Sequence, residues 1–277
     1  MRMTRVLKCL LLAIVLPLTA SAQVEEPLNP GLGDGDDLPT VVVAPMDQKR
    51  FKMAIAPLKC DGDAGVCAEV QKQLARNFEL STFFEILNRD SFIANMDKET
   101  LAETSWPDWF NVGAAHLIKG TISGSGAYTV DLRFYDVFDK KVIEVKGQTH
   151  SGLSAKGVHD AVDAFINGVI GAVTGQPGIF GSQLVFAVKT GLQTRGIGTC
   201  EMDGHGQGGM VGGDTISLLP SFAGGGVLYT SFRDGKPDLY IGNKKLTNNA
   251  WHYRGAAMGP GGKIAAALSK GSGTNIF

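Results

Sequence analysis

The cysteines are the first residues of this 277-residue chain whose type and spacing suggest chemistry. Cys60 and Cys67 lie close enough in sequence to close a small loop as a disulfide, which an oxidising compartment would favour. Cys200 is then predicted to be a buried free thiol. The CxxC spacing of a typical zinc site does not occur in the sequence. We therefore predict a Cys60–Cys67 disulfide, and no metal and no cofactor.

Three other groups of residues could take part in chemistry, and each favours a structural role. His159 and Asp163 share a helix face at i,i+4, but no third ligand is near in sequence, so they are predicted to be a surface pair. The segment 204–209 (GHGQGG) suggests a phosphate loop, yet no apolar-periodic helix follows it, which predicts an interstrand loop. Trp106 and Trp109 flank a proline and are predicted to fasten a loop to the core.

Common catalytic motifs are absent, and the charge is balanced. The sequence contains no GxSxG elbow, no P-loop and no HExxH segment, so we predict that the chain is not an enzyme. It has 26 Lys and Arg against 27 Asp and Glu, a formal net charge of −1. Because this balance provides no basic field for phosphate backbones, nucleic acid is excluded as the expected partner.

The N-terminus has the pattern of an export signal. A cationic start precedes an apolar run over 9–18, and the small residues before Ala22 predict signal cleavage between Ala22 and Gln23. The run is too short to span a bilayer, so residues 1–22 are predicted to be a signal peptide and the protein to have no membrane span. Residues 23–40 are rich in Pro, Gly and acid, which is typical of a flexible segment, so residues 23–50 are predicted to be a flexible tether that ends in a partner-binding strand.

The end of the tether carries three adjacent β-branched residues, Val41, Val42 and Val43. An extended segment of this kind can add to the sheet edge of a partner protein, so these valines are candidate partner-binding residues. The alternative is that they form an edge strand of their own domain.

Residues 51–175 have the alternating pattern of one α/β domain. Apolar periodicity predicts helices around the stripe Val66, Val70, Leu74 and Phe78, over 90–96, over 108–114, and over 154–175 with Ser154 as N-cap and Gly175 as C-cap. Short apolar or alternating runs predict strands over 52–56, 83–87, 116–123, 128–136 and 142–149.

The glycine content rises sharply in the last part of the chain, where residues 175–277 hold 23 of the 37 glycines. Residues 176–277 are therefore predicted to differ in architecture from the α/β domain. Glycine-rich turns separate predicted strands over 183–189, 198–202, 215–219, 227–231 and 239–242. The segment repeats with a period near 40 residues, which is typical of β-propeller blades of four strands each. Closed propellers need about four to eight blades, which is more than residues 176–277 can supply at this period. The sequence therefore predicts a partial propeller. We expect either a C-terminal truncation or completion of the ring by another chain, and truncation is favoured.

At this point the motifs resemble the TolB family of the Gram-negative periplasm. They are the segments 51–57 (FKMAIAP), 106–114 (WPDWFNVGA), 128–137 (YTVDLRFYDV), 173–180 (VTGQPGIF), 229–240 (YTSFRDGKPDLY) and 266–277 (AALSKGSGTNIF). The resemblance implies an α/β N-terminal domain followed by an incomplete all-β propeller, with about two of the family's six blades present.

The same resemblance implies a function. TolB-family proteins are non-enzymatic periplasmic adaptors of the Tol–Pal system, which supports outer-membrane integrity and envelope constriction in cell division. It further implies that Val41, Val42 and Val43 engage the inner-membrane protein TolA. A loop matching Tyr253, Arg254, Gly255 and Ala256 would contact the lipoprotein Pal, although the family usually has histidine where Tyr253 stands.

Two alternatives remain open from the sequence. The chain could be the propeller accessory domain of a truncated prolyl-oligopeptidase-like hydrolase, which a downstream GxSxG domain would favour. It could also be a truncated product that folds only over residues 41–180.

Overall fold

Residues 50–277 are described by the computed structural model. The predicted signal peptide with Ala22 and Gln23, the tether up to residue 49, and Val41, Val42 and Val43 lie outside the described residues. The first part of the described chain contains seven strands and three α-helices: β1 (Phe51–Ile55), β2 (Lys59–Gly62), α1 (Ala64–Leu80), β3 (Phe84–Ile86), α2 (Trp106–Asn111), β4 (His116–Ser125), β5 (Ala127–Asp136), β6 (Lys141–Ile143), β7 (Thr149–Leu153) and α3 (Ala155–Thr174).

The seven strands form one mixed sheet with the order β3-β1-β4-β5-β6. Strand β1 pairs in parallel with both β3 and β4, and β2 also runs parallel to β4. Strands β4 and β5 form a long antiparallel hairpin, and β6 and β7 each pair with β5. Along β5, Val130, Leu132 and Phe134 are buried, while the residues between them are half-buried.

Helices α1 and α3 cover one face of this sheet. Helix α1 begins where the Asp63 carboxylate accepts hydrogen bonds from two backbone N–H groups. Val70, Leu74 and Phe78 of its predicted apolar stripe are buried, and Val66 is half-buried. Helix α3 begins at the predicted N-cap Ser154 and ends at Gly175, which adopts a left-handed φ of 80°. Burying a side chain such as Phe165 between helix and sheet stabilises the fold by roughly 2–3 kcal/mol. No helix among the described residues is both long and apolar enough to cross a membrane.

The other face of the sheet is closed by α2 and the segment before it. The Trp109 ring is fully buried against Phe92, with ring centroids 4.9 Å apart, which confirms that it fastens the loop to the core. The buried Lys119 ammonium lies 3.0 Å from the Glu99 carboxylate, and burial lowers the pKa of Lys119. Burial also raises the pKa of the Tyr135 phenol on this face to about 12.

The helix predicted over 90–96 is wrong. Only one 3-10 turn, Arg89–Ser91, forms there. The Asn88 side chain accepts a hydrogen bond from the Asp90 N–H, and the Asn95 side chain accepts one from the Asp97 N–H. These local side-chain bonds compete with helical hydrogen bonds, so the chain makes turns instead.

The single strand predicted over 142–149 is also wrong, because it is divided into β6 and β7. The segment between them passes close under α3. A Cβ at Gly147 would lie 2.8 Å from the Phe165 N atom, and a Cβ at Gly168 would lie 2.6 Å from the Lys146 carbonyl oxygen. The two glycines thus allow a backbone approach that takes this segment out of the sheet.

The second part of the chain contains three small antiparallel sheets in chain order. The first has β8 (Gln183–Lys189), β9 (Arg195–Glu201) and β10 (Gly208–Val211); the second has β11 (Ser217–Ala223), β12 (Gly226–Ser231), β13 (Asp238–Ile241) and β14 (Lys244–Lys245); the third has β15 (His252–Met258), β16 (Ile264–Ser269) and β17 (Asn275–Ile276). The five predicted strands of this region are confirmed, and β10, β14, β15, β16 and β17 are additional. Only the second sheet has the four strands predicted for a blade.

Successive small sheets pack against each other through two apolar clusters. Ile197 and Val211 of the first sheet belong to one cluster with Tyr229 of the second. Leu228 and Leu239 of the second sheet belong to a cluster with Tyr253, Ala266 and Leu268 of the third. The second sheet is therefore buried on both faces, and β11 packs against both β8 and β15.

Candidate functional site

A groove between the second and third small sheets is the best candidate for a binding site. This cavity, the inter-sheet groove, has a volume of about 450 Å³. Its lining residues are Leu218, Leu219, Thr230, Phe232, Gly235, Lys236, Pro237, His252, Tyr253 and Arg254. Apolar and aromatic groups form the walls, and the cationic side chains Lys236 and Arg254 stand among them. Such a groove can hold an apolar side chain of a partner whose neighbouring residues are acidic.

Two β-bulges shape the inter-sheet groove. The register between β11 and β12 shifts between Leu218 and Ser221, and the register between β15 and β16 shifts between Tyr253 and Ala256. Each bulge places one extra residue in its strand, at equivalent positions of successive sheets. Bulges bend strands and re-aim side chains, and they occur often beside functional sites.

The two bulges lie next to each other at Leu219 and Gly255. Leu219 has a φ of 53°, a left-handed conformation that is rare for a large aliphatic residue, and its side chain is 55% exposed. Gly255 has a φ of 120°, and a Cβ there would lie 3.2 Å from the Leu219 Cδ1 atom. Glycine therefore meets both the backbone and the space requirement at residue 255, and the Leu219 side chain stays at the groove surface.

The predicted loop residues Tyr253, Arg254, Gly255 and Ala256 lie in β15, so the prediction of a loop is wrong. Tyr253 is only 6% exposed and its hydroxyl accepts a hydrogen bond from Asn249 Nδ2 at 3.0 Å, so its ring is mainly a wall of the groove. Arg254 is exposed. The Ala256 carbonyl accepts a hydrogen bond from the Ser221 hydroxyl at 2.9 Å and connects the two sheets.

A buried carboxylate, that of Asp238, is paired with the groove residue Lys236. Asp238 is fully buried, contacts the ammonium of Lys236, and lies 2.9 Å from that of Lys245. The Thr247 hydroxyl donates a further hydrogen bond to it at 2.9 Å. Burial alone would raise the pKa of Asp238, but the two ammonium groups and the Thr247 hydroxyl outweigh it and hold the pKa below its usual value.

The other predicted site residues are placed as follows. The structure joins Cys60 in β2 to Cys67 in α1 by a disulfide, with Cα atoms 6.2 Å apart. Cys200 is half-buried and is the free cysteine among residues 50–277. Segment 204–209 connects β9 to β10 and enters β10 at Gly208, which confirms the interstrand loop.

The prediction that His159 and Asp163 are a surface pair is wrong. Asp163 is 2% exposed, and its Oδ1 accepts hydrogen bonds from Gln73 and Asn77 of α1. Burial raises the pKa of this carboxyl group. Sequence reasoning missed the further members of this cluster, Glu201, Asp203 and His205, because they lie about 40 residues away on the β9–β10 hairpin. We call these five titratable residues the junction cluster.

The linker that leads into the first small sheet is attached to α3. Asn167 donates a hydrogen bond to the Phe180 carbonyl and accepts one from the Phe180 N–H, each at 2.9 Å. Phe180 itself is buried in the core between α1, α3 and the large sheet. The α/β part and the first small sheet thus share packing as well as the junction cluster.

The fold defines the class of protein: an α/β domain with its two long helices on one sheet face, followed by a β-sheet-rich region. A family model described as the TolB amino-terminal domain matches residues 39–143. The resemblance to TolB that the motifs predicted is confirmed.

Curated relatives and a solved structure agree with this assignment. The chain is 34% identical over 182 residues to the Tol-Pal system protein TolB of Desulfosudis oleivorans, covering 64% of this chain and 40% of that protein. It is 27% identical over 276 residues to the same-named protein of Anaeromyxobacter sp., covering 95% and 62%. A crystal structure of TolB from Acinetobacter baumannii shares the fold, with a TM-score of 0.64, 19% identity, and coverage of 82% and 57%. The chain therefore spans about half the length of these relatives.

Proposed function

We propose that this chain is a non-enzymatic, periplasmic adaptor of the Tol–Pal system that binds a Pal-like outer-membrane lipoprotein and a TolA-like inner-membrane protein. The similarity to TolB proteins supports the assignment of this chain to the Tol–Pal system. The observation that carries the binding role is the inter-sheet groove, in which two facing bulges keep an apolar surface open beside cationic groups. The proposed roles in outer-membrane integrity and cell division follow from this adaptor function.

We also propose that the three small sheets are consecutive blades of a β-propeller, with the α/β domain at 51–175 and the partial propeller at 176–277. The contacts of β11 with both β8 and β15 support this arrangement, because first strands of successive blades are neighbours around a propeller axis. The equivalent bulges in β11 and β15 support a structural repeat. The sequence predicted about two blades, whereas the described chain contains three small sheets.

The proposed binding of Pal is tested by retention of the full chain on an immobilised soluble domain of the organism's Pal-like lipoprotein. Wild-type chain is expected to be retained at micromolar concentration, and Arg254→Ala to weaken retention about tenfold, since arginine side chains often dominate interface energetics. Arg89→Ala is the matched control, because Arg89 is also exposed but lies on the α/β part. No retention of wild-type chain would refute Pal binding.

The proposed binding of the TolA-like protein depends on the main chain of residues 41–43. If this segment adds to a partner's sheet edge, its N–H groups must donate hydrogen bonds. Val42→Pro removes one N–H and is expected to abolish binding to the TolA-like protein, whereas Val42→Thr keeps the N–H and the β-branched shape and should retain it. Equal binding by the two variants would refute strand addition.

A further inference from the structure

The junction cluster contains three buried polar atoms that have no hydrogen-bond partner within the described chain. They are His159 Nδ1, Asp163 Oδ2 and Glu201 Oε2. Leaving such an atom unsatisfied costs roughly 1–3 kcal/mol, and more where it is charged. Three of them around one point indicate that the cluster is built to hold something that accepts lone pairs, which a cation does.

The distances between the ligand atoms fit a metal ion. His159 Nδ1 lies 3.5 Å from Glu201 Oε2, and His205 Nδ1 lies 3.6 Å from the same oxygen. All three atoms lie within 4.8 Å of one another. Ligands at about 2.0–2.1 Å from a tetrahedral zinc ion are separated by about 3.4 Å, so the two short edges already have the required length.

One ligand must move to complete the site. The His159 and His205 rings are stacked with centroids 3.8 Å apart, so their Nδ1 lone pairs do not yet converge. The side chain of His205 is 46% exposed, which leaves room for its ring to rotate. His159 is held in place and defines where the ion would bind.

The surroundings of His159 are those of a metal ligand. Its other nitrogen, Nε2, lies 3.1 Å from Asp203 Oδ2. Arg76 donates to the same carboxylate oxygen at 2.8 Å, and the His205 N–H donates to the other oxygen at 2.8 Å. A carboxylate on the far nitrogen orients the imidazole and leaves its second nitrogen free for the metal. Asp163 Oδ2, 3.8 Å from His159 Nδ1, adds negative charge beside the ion.

We propose that His159 Nδ1, Glu201 Oε2 and His205 Nδ1 bind a zinc ion, with Asp203 as the carboxylate that orients His159. Two imidazoles and one carboxylate suit a borderline metal such as zinc, whereas calcium and magnesium require mainly oxygen ligands. His159 and His205 also line a cavity of about 940 Å³ beside α1 and α3, which provides an entry path and a water ligand.

The ion would connect the two parts of the chain. His159 belongs to α3 of the α/β part, while Glu201 and His205 belong to the β9–β10 hairpin of the first small sheet. Since zinc would bind the folded arrangement and not the separated parts, it would stabilise the junction and raise the midpoint of thermal unfolding.

Isothermal titration of metal-free full chain with zinc chloride at pH 7.5 tests this site. We expect one ion per chain with submicromolar Kd, a higher Tm with zinc, and the visible spectrum of tetrahedral cobalt when cobalt replaces zinc. His205→Ala should weaken zinc binding about a hundredfold or more, and Asp203→Asn about 10–100-fold. His252→Ala, an exposed histidine of β15, is the matched control and should bind as wild type.

Several results would overturn the proposal. They are no heat of zinc binding at 10-fold molar excess over about 10 µM protein, equal losses in His205→Ala and His252→Ala, or tighter binding of calcium than of zinc. Because His205 is half-exposed, its alanine variant is expected to fold, and a circular dichroism spectrum equal to that of wild type checks this. Zinc binding lost through unfolding would be visible there.

Discussion

At the scale of single residues, the groove depends on groups that the sequence does not reveal as special. Leu219 and Gly255 lie next to each other with positive φ angles, which no local pattern predicts for a leucine. Asp203 orients His159 from 44 residues away. By contrast, Ser154, Gly175 and Asp63 act through neighbouring backbone groups, and the two caps of α3 could be predicted. Contacts between residues that are close in sequence could be predicted, whereas contacts that tertiary packing creates between distant residues could not.

Asp238 carries a prediction at this scale. Asp238→Asn removes the charge between two lysines in a fully buried position, and should lower the free energy of unfolding at pH 7 by about 2 kcal/mol. Urea unfolding measures this difference. Asp214→Asn, at an exposed aspartate, is the control and should change stability by less than about 0.5 kcal/mol.

The same carboxylate predicts a pH dependence. Its pKa is lower in the folded state than the unfolded value of about 3.9. It therefore stabilises the fold above about pH 4, and this contribution is lost as the pH falls through the lower folded pKa. Between pH 7 and pH 3 the stability of Asp238→Asn should fall less than that of wild type. Equal falls would show that Asp238 does not supply this stability.

At the scale of elements, periodicity predicted the long helices and hairpins, and failed where side chains or other elements intervene. Helix α1 and the β4–β5 hairpin follow from their apolar patterns. The absent helix over 90–96 is explained by asparagine turns, and the divided strand over 142–149 by its close approach to α3. Strand β15 was missed because its bulge breaks the alternation.

Two glycines of α3 give opposite predictions. Alanine usually stabilises a helix relative to glycine, so Gly157→Ala, where a Cβ meets ordinary contacts from 3.4 Å, should raise stability by about 0.5 kcal/mol. Gly168→Ala should instead lower it by about 1–3 kcal/mol, because the new Cβ would meet the Lys146 carbonyl at 2.6 Å. Thermal and urea unfolding of the two variants measure the signs, and a gain at Gly168 would contradict the close approach.

The Cys60–Cys67 disulfide ties β2 to the first turn of α1. Removing a cross-link over a loop this short should cost about 2–3 kcal/mol of unfolding free energy. The double variant Cys60→Ala/Cys67→Ala measures this under non-reducing conditions, and Cys200→Ala is the control outside the disulfide. If dithiothreitol lowers the stability of the double variant as much as that of wild type, the effect does not come from this bond.

At the scale of the whole molecule, the α/β part and the first small sheet should resist proteolysis together. The Phe180 backbone clamp on Asn167 and the Arg76–Asp203 ion pair join them. Limited trypsin digestion followed by mass spectrometry should give a resistant product that extends well beyond Gly181. Rapid loss of everything after Gly181 would show that only the α/β part is stably folded. The repeat near 40 residues predicted successive sheets, but not how they pack.

Binding of the Pal-like lipoprotein in the inter-sheet groove is tested most directly by calorimetric titration of its soluble domain into the full chain. Leu219→Asn removes the exposed apolar group of the groove and suits a left-handed backbone, so the fold should be kept. Leu192→Asn, at a 96% exposed leucine in the β8–β9 turn, is the matched control. We predict that Leu219→Asn weakens Kd at least about tenfold while Leu192→Asn leaves it unchanged. Equal affinities of wild type and both variants would contradict binding at the groove.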